Sequence, residues 1–102
     1  MAEPRPAPEA LPEPRRSVLF MATPALWPLW PFLPLVRQRA GREVELGVLF
    51  DARHACGLAG HSATVFLTNL LDVPRRLADL LALLREVFDR PEEVVEAGWR
   101  ID

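Results

Sequence analysis

Four side chains able to bind a metal or move a proton fall within a short run of this chain: Asp51, His54, Cys56 and His61, in DARHACGLAGH. Each of these types is a zinc ligand, and a structural zinc takes a set of such donors in tetrahedral geometry. The same run also holds the parts of an activated thiol, with Cys56 as nucleophile, His54 or His61 as base and Asp51 to orient the imidazole.

The spacing supports neither chemistry. His-x-Cys-x4-His matches no established zinc pattern, and there is no second cysteine to complete one. Cysteine–histidine dyads are assembled by folds rather than by closeness in sequence. The expectation is therefore a polar loop with no catalytic residue, no metal and no cofactor. A small enzyme or metal-binding protein acting through residues 51–61 is the alternative. Other chemical motifs are missing: Gly57-Leu-Ala-Gly60 is too short for a phosphate loop and lacks its lysine.

Composition narrows the partners. The formal charge is -2, and all twelve basic residues are arginines, spread from Arg5 to Arg100 and offset by fourteen acids. This leaves no electrostatic case for nucleic acid or an anionic membrane. One cysteine in 102 residues excludes an intramolecular disulfide, so the domain must rely on its apolar core or on oligomerisation, which fits a reducing, cytoplasmic setting.

The elements that would position any site divide the chain unevenly. Residues 1–16 carry five prolines among glutamates and arginines, which predicts a disordered tail ahead of a single domain over 17–102. Ser17 to Val36 contains no charge and is long enough to span a bilayer. Pro24, Pro28, Pro31 and Pro34 break any continuous helix there, so a membrane-associated protein using residues 17–36 is only a second alternative.

Over residues 27–35 the proline spacing fits a polyproline II ribbon with two apolar rows, Trp27, Trp30, Leu33 and Leu29, Phe32, Leu35. So much apolar surface must lie on this protein's own core, on a partner or on a second copy. Trp27, Trp30 and Phe32 are accordingly the candidate partner-binding residues.

Residues 43–51 alternate, with Val44, Leu46, Val48 and Phe50 on one face, and 63–71 form a second β-like run. Beyond Pro74, Leu77, Leu80, Leu81, Leu84, Val87 and Phe88 fall on one helical stripe, predicting a main helix over 74–88. A short helix over 91–97 follows, with Asp89 as its cap, and then an extended end bearing Trp99 and Ile101.

The fold expected is α+β: a small antiparallel sheet of two or three strands, the main and short helices on one face, and the Pro/Trp-rich segment packed against it. The function expected is a noncatalytic interaction or accessory module, with a protein partner or a homodimer. The sequence carries no family resemblance to refine this.

Overall fold

The structure, a computed structural model, describes residues 13–38, 41, 43–57 and 63–102. Residues 1–12 of the expected tail lie outside the described residues, as does His61. Strands β1 (Phe32–Arg37), β2 (Glu45–Phe50), β3 (Ala63–Phe66), β4 (Arg85–Phe88) and β5 (Trp99–Ile101) form one sheet in the order β4-β3-β2-β1-β5. Every neighbouring pair is antiparallel. The helices are α1 (Arg15–Met21), α2 (Ala52–Cys56), α3 (Leu77–Leu81) and α4 (Pro91–Glu96). The first four strands form a meander, and the α4 segment carries the chain from the β4 edge to the opposite edge.

This corrects the expected fold. The sheet has five strands rather than two or three, and the described residues hold four α-helices rather than a main and a short one. The predicted helix over 74–88 is three different pieces. Arg75 and Arg76 are outside any helix, and α3 lasts five residues, with no side chain capping its start at Arg76. Asp72, a capping type just ahead of Pro74, closes a 3-10 turn, Leu70–Asp72, where it bonds Asn69. Arg85 onward then pairs with β3.

The misreading has a physical cause. Adjacent Val87 and Phe88 fit a wide helical stripe, but in a strand they point to opposite faces. Pairing with β3 satisfies the backbone there, and it turns Glu86 toward a buried arginine.

The second correction concerns residues 27–35. A turn carries the chain through a cis Trp30–Pro31 peptide into β1, so the period changes from three to two. Pro34 lies inside the strand without disrupting it. Asp102 donates its N–H to the Pro34 carbonyl, which places the missing N–H of Pro34 beside the last residue of the chain, where the ladder to β5 runs out.

The register defines two cores. On one face Leu33, Leu35, Leu49, Ala63, Val65 and Trp99 pack with Met21 and Trp27 and with Val94 and Val95 of α4. On the other face Phe50 and Phe66 meet Leu80 of α3, and Phe32 stacks on Phe50 at 5.3 Å. Helices therefore cover both faces of the sheet, not one. Among the described residues no helix is long and apolar enough to cross a membrane.

Candidate functional site

The loop read as chemically interesting begins with a helix. Asp51 caps α2, its side chain accepting from the His54 N–H at 3.4 Å, and Gly57 closes it at φ +71°, where a side chain would be strained. An aspartate cap and a terminal glycine are both visible in the sequence, where the expected polar loop passes over them. Cys56 is exposed at the end of this helix.

Asp51 does not turn toward Cys56. It is buried, and its Oδ2 accepts the indole N–H of Trp30 at 2.8 Å. The His54 ring meets the same carboxylate, with Nδ1 at 3.0 Å from each oxygen. A carboxylate can only accept, so Nδ1 carries the proton. Burial alone would push the Asp51 carboxyl up; the bond from Trp30, with those from the His54 ring and backbone, outweighs it and holds the group below the usual carboxylate range.

Trp30, Asp51 and His54 line a shallow groove with Thr23, Pro24 and Ala25. The turn that supplies Trp30 also exposes large apolar side chains. Leu26 is 55% exposed, Leu29 52% and Trp30 48%. Trp27, by contrast, is buried and donates its indole N–H to the Phe20 carbonyl at 2.8 Å, anchoring the turn to α1. Phe32 is partly buried against Phe50. Of the three candidate partner-binding residues, the structure thus presents Trp30 to solvent and commits Trp27 and Phe32 to packing.

No known protein family, curated protein or solved structure matches this chain. The site must be read from its own geometry. Among the described residues no group of three His, Cys, Asp or Glu side chains is placed to hold a metal ion, and no hydroxyl or thiol hydrogen-bonds the His54 ring.

A second charged cluster lies within the first core. Arg37, buried at the end of β1, donates from both terminal nitrogens to Glu86 at 2.9 and 2.7 Å and to Glu45 at 2.9 Å. Its guanidinium also stacks 4.1 Å from the Trp99 ring, whose indole N–H reaches Glu86 at 3.2 Å. The Glu86 bonds raise the Arg37 group above its ordinary value against the cost of burial, and Glu45 adds to this.

Arg37 and Glu86 belong to β1 and β4, with β2 and β3 between them. Trp99 fits over the sheet because Gly47 has no side chain: a Cβ there would lie 2.8 Å from the ring and 2.9 Å from Val65. The terminal guanidinium nitrogens of Arg37 are taken by the two carboxylates and its Nε is buried without a hydrogen-bond partner among the described residues, so the cluster ties β1 to β4 across the sheet. In the sequence Arg37 stands only just beyond the uncharged run that ends at Val36, and Glu86 falls within the expected helix over 74–88, so neither announces the pair. The alternation Leu33-x-Leu35-x-Arg37 is the signal that could have found it.

Proposed function

We propose that this chain is a noncatalytic interaction module that recognises an apolar protein segment through Leu26, Leu29 and Trp30. The observation that carries the reading is the fixed, half-exposed Trp30. Its polar atom is already satisfied by a buried carboxylate, while nearly half of the residue meets water in a turn that also exposes Leu26 and Leu29. A pre-oriented, exposed tryptophan is a usual anchor of a protein interface, since little side-chain entropy is lost when a partner covers it.

The noncatalytic part of the reading is supported by the commitments of Asp51, whose oxygens are taken by Trp30 and His54, and by an exposed Cys56 that has no hydrogen-bonded base among the described residues. A cytoplasmic setting goes with a single exposed thiol. The test is selection of binding peptides from a random library, followed by titration of the isotope-labelled protein. Selected peptides should be rich in large apolar residues, shift the Trp30 indole N–H signal, and lose binding at least tenfold with Trp30→Ala. Peptides that bind Trp30→Ala as well as the parent, or whose shifts map to another face, would overturn the proposal.

A further inference from the structure

The sheet has two edges, and they are built differently. At β5 the Asp102 bond to Pro34 sets the phase of the ladder, so Trp99 turns its backbone groups outward. That outward carbonyl is occupied: the Arg100 guanidinium donates to it at 2.7 Å and to the Val95 carbonyl at 3.0 Å. Leu19 and Phe20 of α1 border Arg100 and Ile101 around one groove, adding cover.

At β4 nothing comparable is found. Leu67 donates to the Leu84 carbonyl, so residues 84, 86 and 88 bond β3, and Arg85, Val87 and Asp89 turn their N–H and C=O outward. Among the described residues none of these outward groups has a hydrogen-bond partner. All three residues are exposed, Val87 at 54%.

Edge strands are normally protected by shortness, charged side chains, prolines or bulges. Here the charges are opposite and symmetrically placed, with Arg85 two residues before Val87 and Asp89 two residues after it, all on one face. We propose that β4 pairs antiparallel with β4 of a second copy of this chain, across a two-fold axis through Val87. The two sheets then become one continuous sheet.

In this register Val87 exchanges both backbone hydrogen bonds with Val87 of the second copy. Arg85 falls opposite Asp89 of the second copy, twice by symmetry. The neighbouring registers are worse. An axis through Glu86 sets like charges face to face, and an axis through Phe88 sets Pro91, which has no N–H and begins α4, opposite Arg85. The Arg85 guanidinium is already steadied by a bond to the Leu81 carbonyl of α3 and keeps further N–H groups for the carboxylate. So short a strand buries less than a permanent dimer needs, so association is a concentration-dependent equilibrium.

Sedimentation equilibrium from micromolar to millimolar protein tests this, with the fold of each variant checked by circular dichroism. The parent mass should rise from one chain toward two and fall back with added salt. Val87→Pro deletes only an outward N–H and should hold the mass at one chain. Arg85→Asp and Asp89→Arg should each abolish association by opposing like charges, and the double variant should restore it. If Val87→Pro unfolds, the charge exchange decides alone. A parent that stays one chain throughout, association that survives Val87→Pro in a folded protein, or a folded double variant that fails to recover would each overturn the proposal.

Discussion

Two tryptophans of this chain donate their indole N–H to a carboxylate, Trp99 to Glu86 and Trp30 to Asp51, and their surroundings are opposite. Trp99 is 0% exposed, with Arg37 on its ring and Gly47 beneath it, while nearly half of Trp30 meets water. The same polar contact therefore serves two ends. Beneath an enclosed ring it helps join strands that are not neighbours, and beneath an open ring it fixes the orientation of an apolar surface.

The sharpest way to break this comparison is to truncate both rings. Trp99→Ala should cost about 3 to 5 kcal/mol, because a fully buried indole leaves a cavity and removes the acceptor face of Arg37. Trp30→Ala should cost about 1 kcal/mol, the net worth of one hydrogen bond plus partial packing. Urea unfolding measures both, and equal losses would remove the distinction between a closing and a presenting tryptophan.

Next in size is Glu86→Ala, which leaves Arg37 buried with Glu45 as its remaining carboxylate. The cost should be about 3 kcal/mol, at the low end for a broken buried pair because Glu86 itself is partly hydrated. Gly47→Ala should cost about 1 to 3 kcal/mol by overpacking, with the near-ultraviolet circular dichroism of Trp99 changed. A neutral result would mean that the ring lies off the sheet.

The smallest effect belongs to Asp51. Its folded-state carboxyl titrates below the unfolded value, so its contribution is complete above the ordinary carboxylate range and is lost as pH falls through the folded value. Asp51→Asn keeps one acceptor oxygen, for the His54 N–H or for the Trp30 indole, and puts a donor NH2 in place of the other. Stability near neutral pH should fall by about 1 kcal/mol, the net worth of the hydrogen bond lost, and the decline toward acid should become shallower. An unchanged acid limb in urea melts across pH would show that Asp51 does not carry it.

The sequence by itself determined what local physics can determine. Alternation placed β2 and its two faces, since a period of two needs no information from elsewhere in the chain. Proline placed the short helix at α4, which starts from Arg90 with no side-chain cap rather than from the expected Asp89, and the alternating end fell on β5. Asn69 bonds as its type favours, accepting on its side-chain oxygen from the nearby N–H groups of Leu71 and Asp72.

Only the tertiary structure decided the rest, because the deciding contacts are distant in sequence. Residues 85–88 are a strand because β3 offers a ladder and Arg37, 49 positions from Glu86, offers a charge. Residues 32–37 are a strand rather than a ribbon because β2 and β5 lie on either side. Asp51 serves Trp30, 21 positions away, rather than Cys56, its near neighbour. A side chain's type and spacing state what it can do, and its chemistry follows from what the fold places within hydrogen-bond reach.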